Sequence, residues 1–134
     1  MSIAILRKGC EIKTKNNKAS LIDNHGVFCD TLGVKYYAGI EVLKDYKKAF
    51  KLFKKSADKK NPYGQLNIGY MYTKGKDVDV VKNLCKAKLY INKAFYNPET
   101  NSSIRLLARK VWHQYELWKY NNPKINTKCS SINK

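Results

Sequence analysis

Leu32-Gly33-Val34-Lys35-Tyr36 returns 36 residues later as Ile68-Gly69-Tyr70-Met71-Tyr72. Each copy is followed by a glycine (Gly39, Gly75), then a valine, then Lys-Ala on a second apolar segment (Lys48-Ala49, Lys86-Ala87). A period of this size marks a stack of helical hairpins, none of which can bury its apolar face alone. Such a stack provides a surface for binding rather than a pocket for chemistry.

The helical phase can be followed along the chain. Residues 3–12 place Ile3, Leu6 and Cys10 on one face, a half unit with no partner helix before it. Residues 13–24 are polar and aperiodic, a loop or a short turn of helix. A helix is expected from Gly26 to Ala38, ended by Gly39, since glycine takes the left-handed C′ conformation without penalty. Lys44-Asp45 opens the next, running to about Lys59 with Tyr46, Ala49, Phe50, Phe53 and Ala57 inward and Lys47, Lys48, Lys51, Lys54 and Lys55 outward. Asn61-Pro62 restarts the chain, 63–73 repeats the first helix and 80–95 the second. The last helix is expected over 101–120, with Ile104, Leu107, Ala108, Val111, Trp112, Tyr115 and Trp118 on one broad stripe. The segments group as a half unit at 3–12, unit one at 26–60, unit two at 62–97 and a capping helix at 101–120, all in one domain at 1–120. A polar tail occupies 121–134.

Glycine inside a helix costs about 1 kcal/mol relative to alanine. Gly33 and Gly69 therefore imply close approach of the paired helix, with Ala49 and Ala87 expected opposite them. Tyr36 and Tyr72 should fill the wider space towards the following unit. A catalytic tyrosine could stand at either place, but an aromatic recurring at the repeat period reads as core.

Together these residues carry a resemblance. Leu32-Gly33-x-x-Tyr36-x-x-Gly39, Val42-x-x-Asp45-Tyr46-x-Lys48-Ala49 and Phe53-Lys54-Lys55-Ser56-Ala57 resemble the Sel1-like repeat, a relative of the tetratricopeptide repeat. The second copy is looser: Ile68-Gly69-x-x-Tyr72-x-x-Gly75, Val78, Lys86-Ala87, Tyr90 and Lys93-Ala94. The resemblance covers about residues 3–97. It implies an all-α solenoid, a right-handed superhelix that binds other proteins along its concave side. The repeat's packing positions are then Leu32, Gly33, Tyr36, Gly39, Ala49, Phe53, Ala57, Gly69, Tyr72, Gly75 and Ala87.

Cys10 and Cys29 also resemble the cysteine-rich branch of that family, known from Helicobacter, in which a disulfide staples consecutive helices. The segments Lys8-Gly9-Cys10 and Gly26-x-x-Cys29-x-x-Leu32-Gly33 carry the likeness; the 19-residue separation departs from the family's short loop. The resemblance implies a Cys10–Cys29 bridge contributing about 3 kcal/mol and an oxidising compartment, while two buried thiols are the alternative. The next unit has Ala57 and Gln65 at these positions, so no second staple is expected. Cys85 reads as a packing residue and Cys129 falls in the tail.

The charge of +17 comes from 27 basic residues, of which only Arg7, Arg105 and Arg109 are arginine. A nucleic-acid surface favours arginine, whose planar fork reads phosphates and base edges. Scattered lysines read first as solvated helix faces, next as attraction for an acidic protein, and only third as a nucleic-acid site. No run of about 18 apolar residues could span a membrane. The N-terminus as written lacks a signal peptide's h-region, and the chain opens partway through a repeat. An exported location is favoured if Cys10 and Cys29 are bridged, a cytoplasmic one otherwise.

No cofactor or metal is implied: there is no C-x-x-C, and His25 and His113 are far apart. A Cys-His nucleophile pair has nothing to activate it, and His113 reads as an exposed or capping residue. Members of the cysteine-rich branch have been labelled β-lactamases or penicillin-binding proteins. Ser56-Ala57-Asp58-Lys59 matches the Ser-x-x-Lys of that chemistry in letters, yet Ser56 stands at a small-residue packing position. The expected function is protein binding, as an immunity or adaptor protein for one cognate bacterial protein. Helical phase points to Lys35, Asn67, Met71 and Lys74 as partner-facing, and the partner is expected to be acidic. The alternative is an exported cysteine-rich envelope or host-interaction factor. The sequence leaves the oligomeric state open.

Overall fold

Six α-helices and two 3₁₀ turns, with no strand, form an all-α solenoid in the computed structural model, which describes residues 2–11 and 25–121. The polar segment at 13–24 and the tail with Cys129 lie outside the described residues. The helices are α1 (Ile3–Glu11), α2 (His25–Ala38), α3 (Tyr46–Asp58), α4 (Pro62–Lys74), α5 (Leu84–Tyr96) and α6 (Ser102–Gln114).

Side-chain caps set where the helices start. Asp45 Oδ1 accepts from Lys48 N at 3.0 Å and Asn83 Oδ1 from Lys86 N at 2.9 Å, opening the second helix of each unit. Asn61 accepts from Tyr63 N and Gly64 N, and Asn101 from Ile104 N, opening α4 and α6. Each cap satisfies amides that the first helical turn leaves without partners. Asp45 N also donates to Tyr36 O, and Asn83 N to Tyr72 O, so the two hairpins close in the same way.

Two elements differ from the sequence reading. The second hairpin, two residues longer, holds a 3₁₀ turn, Gly75–Val78, which buries Val78, and α5 starts at Leu84 rather than near residue 80. The last helix is not continuous to 120. It ends at Gln114, Glu116 takes a left-handed φ of 50°, and a 3₁₀ turn follows at Leu117–Asn121. A straight helix would have kept Trp118 on the buried stripe. The turn instead places Leu117 in the core at 0 % exposure and leaves Trp118 45 % exposed. Leu107, expected inward, is also exposed.

Successive helices pack side by side, and α2, α4 and α6 also touch in sequence along one side, whereas α3 and α5 make no comparable contact. The first helices of the units therefore lie closer together than the second helices. That difference makes their side the inner face of the stack.

The close approach at Gly33 and Gly69 is present, but its partners lie one helical turn beyond those expected. A Cβ on Gly33 would stand 2.7 Å from Phe53 Cε1 and 3.3 Å from Leu52 Cβ; one on Gly69 would stand 3.0 Å from Ile91 Cδ1 and 3.3 Å from Ile91 N. Ala49 and Ala87 are buried elsewhere in the core. Tyr36 and Tyr72 also point the other way, towards the preceding unit. Tyr36 Oη accepts from Arg7 Nη2 on α1, and the Tyr72 ring makes a T-shaped contact with Phe50 on α3.

Candidate partner-binding groove

On the inner face, α2 and α4 enclose a cavity of about 190 Å³ lined by Val34, Tyr37, Phe53, Asn67, Tyr70 and Met71. Its position follows from helical spacing. Asp30, Val34 and Tyr37 recur at three and four residues along α2, and Asn67, Tyr70 and Lys74 do the same along α4. Val34 is 41 % exposed and forms the rim, while Phe53 and Met71 are buried and form the floor. Tyr37 is fixed by an edge-to-face contact with Tyr46, the ring centroids 5.2 Å apart.

The groove's polar groups are few and engaged. Asn67 Nδ2 donates to Asp30 Oδ1 at 2.8 Å, joining the facing helices. Burial raises the Asp30 carboxyl to a pKa of about 6, although the Asn67 hydrogen bond favours its charged form. The Tyr37 phenol is also held above its ordinary value, by burial first and by the phenols of Tyr70 and Tyr46 next, with Lys74 pulling the other way. Lys74 Nζ lies 5.3 Å above the Tyr70 ring, and a hydrogen bond to Tyr70, then the charge of Tyr70 and Tyr115, raise its pKa. Such a groove can take an apolar side chain between two aromatic walls, Tyr37 and Tyr70, over the Phe53 floor and hydrogen-bond the peptide beside it.

Of the four residues expected to face a partner, Asn67 lines the groove and Lys74 stands beside its Tyr70 wall. Lys35 is drawn to the hairpin turn, where its Nζ pairs with Glu41 Oε1 at 2.6 Å. Met71 is a correction: at 0 % exposure it is floor, because it faces the neighbouring helix rather than solvent. Helical phase missed Asp30, Val34, Tyr37 and Tyr70. The recurrence of tyrosine at positions 37 and 70 was the available signal.

Much of the basic charge lies on the outer helices, in line with the outward lysines that the sequence places on the second helix of unit one. Lys47, Lys48, Lys51, Lys54 and Lys55 are exposed on α3, an outer helix, as are Lys86 and Lys93 on α5. Lys48 over Tyr36 at 5.3 Å recurs in the next unit as Lys86 over Tyr72 at 5.6 Å, and Lys93 lies over Tyr90 at 5.3 Å. Lys54 Nζ donates to Tyr90 Oη at 3.4 Å, the main cause of its raised pKa.

Elsewhere, a Cys10–Cys29 disulfide joins α1 to α2. Cys85, expected only to pack, is disulfide-bonded as well. At the junction of α3 and α4 the staple is replaced by a polar clamp: Asn97 Nδ2 donates to Gln65 Oε1 at 2.9 Å and to Lys60 O at 2.8 Å. Ser56 is wholly buried and donates to Gly26 O at 2.7 Å, with Gly64 packed against it, whereas Lys59 is exposed. That serine bonds backbone and fills space between helices. His113 is exposed, its ring 5.8 Å from that of Trp118. No helix among the described residues is long and apolar enough to cross a membrane.

Comparison with known families finds a model described as Sel1 repeat at residues 32–61 and 62–96. The first match takes in the Gly33 end of α2 with α3, and the second takes in α4 and α5. No curated protein matches the chain.

Proposed function

The chain is a Sel1-like repeat protein, with repeats at 32–61 and 62–96, and from that premise we propose that it captures one cognate protein in the groove between α2 and α4. Sel1 repeats are in general protein–protein interaction modules. The groove itself carries the finer reading. It is an aromatic-walled cavity on the inner face with an exposed apolar rim at Val34 and hydrogen-bonding groups at Asp30 and Asn67. With two repeats the inner face is short, which suits a single dedicated partner, as an immunity or adaptor protein would have.

The outer lysines give the partner its expected sign. A protein of net charge +17 attracts an acidic surface from a distance, while the groove supplies the short-range fit. An exported role is favoured by a specific observation, the pairing of Cys10 with Cys29, because disulfides persist in oxidising compartments. A Ser-x-x-Lys hydrolase is disfavoured by the burial of Ser56 and its bond to Gly26 O.

The test is a photo-crosslinking amino acid placed at position 34 and, in a second protein, at position 55 on the outer face. A single acidic protein crosslinked from position 34 is the expected outcome. Its affinity, measured with purified components, should fall at least tenfold in Val34→Arg, a substitution at an exposed site. Unchanged affinity in Val34→Arg would remove the groove from the interface.

A further inference from the structure

The bridge between α1 and α2 has a third member. His25 opens α2 one turn before Cys29, and its Nδ1 lies 3.9 Å from Cys29 Sγ. The ligand atoms of Cys10, His25 and Cys29 all fall within 4.8 Å of one another, and the two cysteines are 2 % and 0 % exposed. At the next junction the corresponding places hold Ala57, Asn61 and Gln65. Packing between units therefore does not itself require this trio.

We propose that in the reduced chain Cys10, His25 and Cys29 bind one zinc(II) ion. Reduction by a dithiol delivers two electrons and two protons to the Cys10–Cys29 bond, while the dithiol closes to its own disulfide. Zinc then takes the two sulfurs as thiolates, releasing two protons to solvent, and takes one ring nitrogen of His25. Two thiolates and an imidazole are a donor set that suits zinc, and three protein ligands leave its fourth position for water. Zinc–sulfur bonds of about 2.3 Å set two sulfurs about 3.8 Å apart in a tetrahedral site. Side-chain rotation can provide that separation without moving the helices apart. The cation's two charges offset those of two thiolates that burial would otherwise keep protonated. The same residues thus give a covalent staple under oxidising conditions and a metal staple under reducing ones.

The experiment uses the full chain as Cys85→Ser/Cys129→Ser, so that Cys10 and Cys29 are the only thiols. It is reduced with a phosphine and titrated with cobalt(II), then with zinc(II). One equivalent of cobalt should bind with thiolate charge-transfer absorbance, zinc should displace it, and zinc should raise the Tm of the reduced protein alone. His25→Ala should weaken zinc binding at least tenfold. If the reduced chain loses helicity, zinc should restore its far-ultraviolet circular dichroism only when His25 is present. No metal uptake, equal uptake by the bridged protein, no recovery of helicity in an unfolded reduced chain, or affinity indifferent to His25→Ala would each overturn the proposal.

Discussion

Asp30 ties the stability of the fold to pH. Its folded pKa of about 6 lies above the value of about 3.9 expected in the unfolded chain. The folded state thus holds the proton more tightly, and stability falls as pH rises from about 4 through about 6 and then levels off. Asp30→Asn keeps an oxygen for the Asn67 amide and removes the buried charge. It should raise stability by roughly 1–3 kcal/mol at pH 7 and by little at pH 4, measured by urea unfolding at both values. Equal gains at the two pH values would contradict the burial argument. Gly33 presents the opposite case. Alanine there gains about 1 kcal/mol of helix propensity, but its Cβ would stand 2.7 Å from the buried Phe53 ring. Gly33→Ala should be net destabilising by about 1–2 kcal/mol, since overpacking a filled core costs about 1–3 kcal/mol.

Among the elements, the end of α6 is the clearest case of packing deciding a boundary. Leu117 enters the core after the left-handed turn at Glu116, while Trp118 stays partly exposed. Leu117→Ala should therefore cost about 2–4 kcal/mol and Trp118→Ala less than about 1 kcal/mol in thermal or urea unfolding. The reverse ranking would support one straight helix to residue 120. Helix identities and most starts were legible from sequence because caps and apolar periods are local: Asp45, Asn61 and Asn101 each bond amides within three residues, whereas the start that Asn83 caps was placed near residue 80. The break after Gln114 was not legible, since its cause is space beside α5 that the local sequence does not describe. The groove was half legible for a similar reason. Helical phase found Asn67 and Lys74, but it could not tell that Met71 faces a neighbouring helix.

On the scale of the molecule, α1 is joined to the rest mainly through α2 and the Cys10–Cys29 bond. Replacing both cysteines with serine should lower stability by about 3 kcal/mol, and amide exchange should rise in α1 before α4 and α5. Uniform exchange across the stack would argue that the bridge does not govern that end. The charge distribution predicts a kinetic signature too. With lysines on the outer helices and few in the groove, raising salt should slow association with an acidic partner while changing dissociation little. An association rate indifferent to salt would count against steering by that outer charge.

The repeat, the helical class and the starts of α3, α4 and α6 were determined by sequence alone, because each arises from a period or from a cap a few residues away. Tertiary structure decided which residues meet Gly33 and Gly69, the direction in which Tyr36 and Tyr72 point, and the gathering of Cys10, His25 and Cys29. It also placed Asp30, Val34, Tyr37 and Tyr70 around one groove, with Lys74 beside it. These outcomes depend on how successive hairpins stack. A sequence period says that they stack, but the rotation between them is set by side-chain volumes at every interface together.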